Sequence, residues 1–274
     1  MKLTVLVDNF SNNTEMLTEH GLSIYLEADG LKCLFDTGAS DKFIKNAEKL
    51  KINISDVDYL IISHAHSDHT GGLENFIENN DKAKIFLSSQ ISGASYFSTR
   101  NNYKKNISID YSIIKKNQKR FEFIDSNLNL SQNITLLNNI PNIFETPKGN
   151  KTLFVNDQQD DFRHEIGICI NTHRGAAVIS ACSHHGILNT LAAVQNPNIN
   201  IIAYIGGSHL LDSTDSIKYE TDEELINIIN KINSLYPELT LITGHCTGAN
   251  AKKQFSEKLK NNFLVFYSGF TFEI

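Results

Sequence analysis

The sequence predicts an α/β domain whose polar chemistry gathers at strand ends, and three observations lead there. Short apolar runs of strand length alternate with helically spaced segments from one end of the chain to the other. Four of those runs deliver histidines: His64 and His66 after Leu60-Ile61-Ile62, His184 after Ala176–Ser180, His209 after Ile199–Ile205, and His245 after Leu239–Thr243. With 274 residues, 41% of them hydrophobic, the chain is long enough for one large domain, or one domain carrying an insertion, with a full core.

Taken in order, residues 3–7 form a first strand, and Asp8-Asn9 opens a polar loop to about Thr18. Leu22–Ala28 alternates as a half-buried strand, Asp29-Gly30 signals a hairpin turn, and Lys32–Asp36 returns. Ser40-Asp41 marks a helix start, with Phe43, Ile44, Ala47 and Leu50 following at helical spacing. Leu60–Ile62 is a buried strand, Gly71-Gly72 turns into a helix through Leu73, Phe76 and Ile77, and Lys84–Leu87 is a further strand. Between about 88 and 160 the pattern weakens to short apolar pieces at 107–109, 121–124 and 134–137, which predicts an inserted cap. Ile166–Asn171 and Ala176–Ser180 are strands around a turn, and a helix runs from Leu188 to about Pro197. Strand Ile199–Ile205 precedes a capping box at Thr221 and Glu224, which opens a helix through Leu225, Ile228, Ile229 and Ile232. Strand Leu239–Thr243, a helix at Phe255 and Leu259, and a last strand Phe263–Tyr267 complete the chain.

The densest chemistry is His64-Ala65-His66-Ser67-Asp68-His69, which holds three of the ten histidines. Alternate side chains of an extended segment share a face, so His64 and His66 converge on one ion, and Asp68 and His69 sit at the following turn. Imidazole and carboxylate are the usual ligands of zinc, iron and manganese.

These residues resemble the HxHxDH signature of the metallo-β-lactamase superfamily. The resemblance continues in Leu34-Phe35-Asp36-Thr37-Gly38, Ala181-Cys182-Ser183-His184, Gly206-Gly207-Ser208-His209-Leu210 and Gly244-His245-Cys246-Thr247-Gly248. In that order they are similar to the branch that includes archaeal dihydropterin-aminobenzene ribofuranosyl-phosphate synthases. The resemblance implies a four-layer αββα sandwich spanning residues 1–274. It also implies two divalent ions, zinc first with iron or manganese as alternatives. His64, His66 and His184 would hold one ion, and Asp68, His69 and His245 the other. Asp36 would lie beneath the site and support its loop. A hydroxide activated by the metals would attack the substrate, with Asp68 orienting it and His209 meeting substrate or leaving group. The family usually completes the pair with a bridging acid, yet the matching place here reads Cys182-Ser183-His184, and the ligand set around His184 stays open.

The other histidines and cysteines get plainer readings. His185 is set below His184 by the family match, His164 is read as a surface position, and His20 and His173 as solvated turn residues. Cys33 and Cys169 lie inside strand-like runs as buried thiols, and Cys182 and Cys246 are read as packed thiols rather than metal thiolates.

A net charge of −6 argues against a general nucleic-acid binder. The basic residues Arg100, Lys104, Lys105, Lys115, Lys116, Lys119 and Arg120 face only Asp110 in their stretch. They read either as a solvated surface or as a field drawing an anionic small molecule to the site. No apolar run approaches the roughly 20 residues of a membrane span, and the start reads as a strand rather than a signal peptide, so a cytoplasmic protein is expected. Oligomeric state is not legible. The sequence therefore predicts a metal-dependent hydrolase, or related transferase, acting on a small anionic substrate. Its rivals are a nucleic-acid phosphodiesterase of the same superfamily and a metal-bound sensor with weak chemistry. A redox di-iron role is disfavoured, because that branch carries a glutamate where this chain has His66.

Overall fold

Both faces of the central strands are apolar, so each strand needs cover on two sides, and the chain satisfies this with two sheets packed face to face and helices outside each. The computed structural model describes residues 1–91, 93–100, 103–196 and 198–274. The first half runs β1 (Lys2–Val7), β2 (Ser23–Ala28), β3 (Leu31–Phe35), α1 (Lys42–Lys49), β4 (Tyr59–Ile61), α2 (Ser67–Thr70), α3 (Leu73–Asn79) and β5 (Lys84–Ser88). A middle stretch comes next with β6 (Tyr96–Ser98), β7 (Lys105–Asn106), α4 (Tyr111–Lys116), β8 (Phe121–Ile124), β9 (Leu128–Asn129), β10 (Ile134–Leu137), β11 (Leu153–Val155) and β12 (Gln158–Gln159). The second half runs β13 (Gly167–Thr172), β14 (Gly175–Ser180), α5 (Ile187–Ala192), β15 (Ile201–Gly206), α6 (Asp222–Leu235), β16 (Thr240–Thr243), α7 (Ala249–Leu259), β17 (Phe263–Val265) and β18 (Thr271–Glu273).

The two large sheets have the orders β18-β1-β2-β3-β4-β5-β8 and β17-β16-β15-β14-β13-β10-β9. Each is antiparallel in one half and parallel in the other. Alternation sorts the side chains: Ile24, Phe35 and Ile61 meet Ile168, Ala177 and Ile179 between the sheets. Leu34, Leu60 and Ile62 turn outward onto Phe43 of α1 and Phe76 of α3. On the far side Val178 and Tyr204 pack under Leu191, Ile229 and Phe255 of α5, α6 and α7. The result is the four-layer αββα sandwich. Cys33 and Cys169 are buried within it as expected, and burial pushes their thiols up to about 12 and about 11.

Several local signals hold in detail. Asp29 and Gly30 both have positive φ, 53° and 76°, closing the two-residue hairpin between β2 and β3. Thr221 and Glu224 form the capping box of α6. Pro197, the residue expected to close the α5 stretch, lies outside the described residues. No described helix is long and apolar enough to cross a membrane.

The middle stretch differs from the single cap expected over about 88–160. Phe121 and Ile124 are buried, and β8 joins the edge of the first sheet; Ile134, Leu136 and Leu137 are buried, and β10 joins the second. What remains forms a small four-stranded sheet, β12-β11-β6-β7. Residues 107–109 make no strand of their own ladder. They lie along the histidine motif instead, Ser67 N donating to Ile107 O at 2.7 Å and Ile109 N to Ala65 O at 2.8 Å. The final strand is also shorter than read, and β18 comes after it and pairs with β1 at the sheet edge.

The glycine pair after the motif shows how tightly its turn is seated. A Cβ on Gly72 would lie 2.4 Å from the carbonyl oxygen of Thr37 and 2.6 Å from that of Ser40. Backbone meets backbone there, and neither side can move independently. Gly72→Ala is expected to destabilise the fold by about 1–3 kcal/mol, the usual cost of overpacking, read as a lower midpoint in urea denaturation.

Candidate metal centre

The parallel strands of both sheets end on the same side of the sandwich, and the turns at those ends build the site. β3 leads into Asp36, β4 into His64 and His66, β14 into Cys182 and His184, β15 into His209, and β16 into His245. Ligands in open α/β sheets bind beyond the carboxyl ends of strands for this reason. Four residues in these turns are left-handed without being glycine: Asp36 (φ 62°), Ser183 (56°), His209 (51°) and His245 (49°). Such conformations cost on the order of 1–3 kcal/mol each and concentrate at functional sites.

Every expected ligand is buried except Asp68, whose side chain is 21% exposed. They fall into two sets. Ring nitrogens of His64, His66 and His184 lie within 4.8 Å of one another, as do donor atoms of Asp68, His69 and His245. In the first set His64 Nε2 faces His66 Nδ1 at 3.1 Å. In the second His69 Nε2 faces His245 Nε2 at 3.1 Å, with Asp68 Oδ2 at 3.5 and 3.6 Å from them.

The outward nitrogens explain why the inward ones converge. His69 Nδ1 donates to Asp36 Oδ2 at 2.7 Å, and Asp36 also accepts from Ser63 N and Ser63 Oγ at 2.7 and 2.6 Å. Ser63 Oγ, committed as donor to Asp36, accepts from His64 Nδ1 at 2.7 Å. Asn150 Nδ2 donates to the His184 carbonyl at 2.7 Å, which turns its Oδ1 to His184 Nδ1 at 3.0 Å. Asn9 does the same for His245, with 3.1 Å in each bond. On His64, His69, His184 and His245, Nδ1 therefore carries its proton outward, and the Nε2 lone pair points in.

In the first set the electrostatics agree with this reading, whereas in the second His69 is drawn toward the charged form. Burial, with neighbouring imidazoles, holds His64 and His184 well below the usual histidine range, and burial pushes His66 down to about 3. Burial also opposes charge on His69, but Asp68 and Asp36 outweigh it and raise the ring to about 10. For Asp68, burial is outweighed by His69 and His245, which hold its carboxyl well below its usual range. A proton or a metal ion at His69 Nε2 meets the same electrostatic need. His66 Nε2 and His184 Nε2 are buried without a partner. Neutral imidazoles aimed at each other, with one carboxylate beside them, fit a divalent cation.

His209 reaches the site as expected. Its ring lies 4.3 Å from that of His184, its Nδ1 has no partner, and its Nε2 stands 3.4 Å from Arg100 Nη2. Two other cations of the basic stretch are occupied elsewhere: Arg120 binds the carbonyls of Asn80 and Ala83, and Lys104 pairs with Asp157. His173 is exposed, and His185 is turned from the cluster onto Glu165.

Three readings change. His164 is buried, not at the surface; it accepts from Ala65 N at 3.3 Å and pairs with Asp160 at 3.1 Å, bracing the motif from behind. His20 is mostly exposed yet stacks on His245 at 5.5 Å and stands 3.5 Å from Asp68 Oδ2. Cys182 Sγ lies 3.3 Å from His69 Nε2, inside the cluster. Sequence reading also missed Glu165, Asn9 and Asn150, since none has a neighbouring pattern to announce it, whereas Arg100 was named only as one of seven basic residues. Phe162 stacks on His184 at 4.2 Å, and a cleft of about 520 Å³ lined by Asn150, Lys151, Asp160, Phe162, His184 and His185 opens beside it.

Comparisons with known proteins converge on one family. The family model of the metallo-β-lactamase superfamily matches residues 18–97. The solved structure of Tm1679, a metal-dependent hydrolase of the β-lactamase superfamily, is 30% identical with a TM-score of 0.82, covering 100% of this chain and 99% of its own. A 7,8-dihydropterin-6-methyl-4-(β-D-ribofuranosyl)-aminobenzene-5′-phosphate synthase of Methanocaldococcus jannaschii is 29% identical over 98% of this chain and 95% of its own length. The metallo-β-lactamase fold protein YhfI of Bacillus subtilis shares the fold at 14% identity, TM-score 0.56, covering 99% of both chains.

Glu165 offers a test of how the site loop is held. Its buried carboxylate accepts from His184 N at 2.7 Å and from His185 N at 3.0 Å. Glu165→Ala leaves these two amides and the His185 ring nitrogen buried and unpaired, and is expected to cost about 1–3 kcal/mol for each. Urea denaturation of the purified variant measures the loss.

Proposed function

Because the chain belongs to the metallo-β-lactamase superfamily, we propose that it is a metal-dependent hydrolase, or a related transferase, that acts on a small anionic molecule. The observation that carries this reading is the set of inward Nε2 atoms, each fixed by an outward hydrogen bond, around the Asp68 carboxylate. His64, His66 and His184 would hold one divalent ion, and Asp68, His69 and His245 a second. Bound there, such ions supply Lewis acidity, polarising an ester or phosphoryl oxygen and making water acidic enough to attack near neutral pH.

The chain's own residues take the remaining roles. Asp68, the most exposed member of the cluster, would orient the attacking water by accepting its hydrogen bond. His209 Nδ1 is buried and unpaired, and in this reading it would hydrogen-bond substrate or leaving group. Arg100, against His209 Nε2 and with its own Nε lacking a partner, is the cation best placed to anchor a negative group. Phe162 and Tyr96 wall the histidines with aromatic surface and limit water there. The M. jannaschii relative is named as the synthase of a 5′-phosphate, which supports an anionic small molecule.

Protein equilibrated with zinc, manganese or iron and then desalted should retain metal on elemental analysis and turn over generic phosphoester or carboxylic-ester substrates. His66→Ala should remove that turnover. Metal retained without turnover on any substrate would favour a sensor, and no metal with any of the three ions would overturn the reading. Asn150→Leu removes the acceptor of His184 Nδ1, and should weaken metal affinity by about 10–100-fold in a chelator competition.

A further inference from the structure

We propose that Cys182 is a metal ligand, a thiolate shared between the two donor sets in the place where an acid was expected. This rests on the proposed metal centre and names one more residue of it. Cys182 comes just after β14 and is buried, with its sulfur in the middle of the cluster rather than in the core. Its Sγ lies 3.3 Å from His69 Nε2 and within 4.8 Å of donor atoms of His64, His184, His209 and His245. It therefore touches a donor of the second set and lies within 4.8 Å of donors of the first. Ligand atoms about 2.0–2.3 Å from one tetrahedral ion lie roughly 3.3–3.8 Å apart, so the spacing to His69 is that of two ligands of one ion.

A second observation points the same way. His184, two residues along, is wholly buried with Nε2 unpartnered, although Asn150 and Glu165 fix the rest of the residue. A sulfur and an unsatisfied imidazole nitrogen confined together look toward a cation that binds both.

Cys246 is the second sulfur at the cluster, within 4.8 Å of donor atoms of Cys182 and His245. Its donor group includes a histidine of the second set alone, whereas that of Cys182 extends to both sets, and its thiol donates to the Cys182 carbonyl at 3.5 Å. Cys33 and Cys169 are in the core clusters, away from the site.

Ligation needs the thiolate, so the Sγ–H bond breaks as the ion binds and the proton leaves to solvent. A thiolate in place of a carboxylate also favours zinc over manganese, because sulfur is the softer ligand.

Zinc-edge X-ray absorption of the zinc-loaded full chain tests this without reference to activity. The expected result is a sulfur shell at about 2.3 Å beside nitrogen and oxygen at about 2.0–2.1 Å. That shell should persist in Cys246→Ser and vanish in Cys182→Ser. Cys182→Asp should keep zinc bound with no sulfur, and should lose at least about tenfold of the preference for zinc over manganese. If Cys182→Ser fails to fold, wild type and Cys246→Ser still decide, since the other thiols are remote. Bound zinc with a nitrogen-and-oxygen shell alone overturns the thiolate and leaves the proposed function standing. A sulfur shell lost in Cys246→Ser overturns it too. A protein that takes up no zinc overturns both readings.

Discussion

The carboxylate of Asp36 is the constraint on which the site depends. It is fully buried at the end of β3, in a left-handed conformation that an L-residue adopts at a cost of roughly 1–2 kcal/mol. Burying a carboxylate is expensive unless its lone pairs are met. Here three donors meet them: Ser63 N, Ser63 Oγ and His69 Nδ1. Charge-assisted bonds of this kind contribute about 1.5–3 kcal/mol each. One side chain thus ties the end of β3 to the end of β4 and to α2, and through Ser63 it also sets the proton on His64.

The second sheet meets this scaffold with its own fixed pieces. Glu165 pins the two backbone amides of His184 and His185, Asn150 turns His184, and Asn9 turns His245 from across the sandwich. Residues 107–109, contributed by the middle stretch, hold the outer edge of the motif backbone. The histidine motif supplies four donors, yet its partners come from strand ends more than a hundred residues away. The site therefore exists only when both sheets have closed on the core around Phe35, Ile61, Ile168 and Ile179. Changes in that core act on chemistry through placement.

Much of this was legible in the chain. Strand and helix period, the hairpin at Asp29-Gly30, the capping box at Thr221, and the histidines after apolar runs are local signals, each set by neighbours in sequence. The grouping of His64, His66 and His184 apart from Asp68, His69 and His245 came from family resemblance, and the geometry brings those groups together. Asn9, Asn150 and Glu165 were illegible because each acts on a partner distant in sequence, with nothing beside it to mark the role, and Arg100 was visible only as part of a basic stretch. His164 and His20 misled for the same reason: a polar neighbourhood in sequence reads as surface, whereas the fold buries one and stacks the other on His245. The middle stretch failed because its apolar pieces are short, and a short strand's sheet is chosen by tertiary packing.

Charge then bears on which molecules such a site accepts. The first donor set is three imidazoles held neutral by burial, and the second adds the single carboxylate of Asp68. Under the proposed reading, two divalent ions would bring four positive charges against Asp68 and the more distant Asp36. A shared thiolate and the buried carboxylates of Glu165 and Asp160 behind the histidines would nearly balance those charges, and Arg100 is the further cation at the His209 side. Field lines from buried charges with aromatic walls focus toward the mouth instead of dispersing in water. A small anion would be held at the ions and Arg100 alone, whereas a long polyanion would also have to lie along a chain whose net charge is −6. Under the proposed reading that contrast is the argument for a small-molecule substrate over nucleic acid.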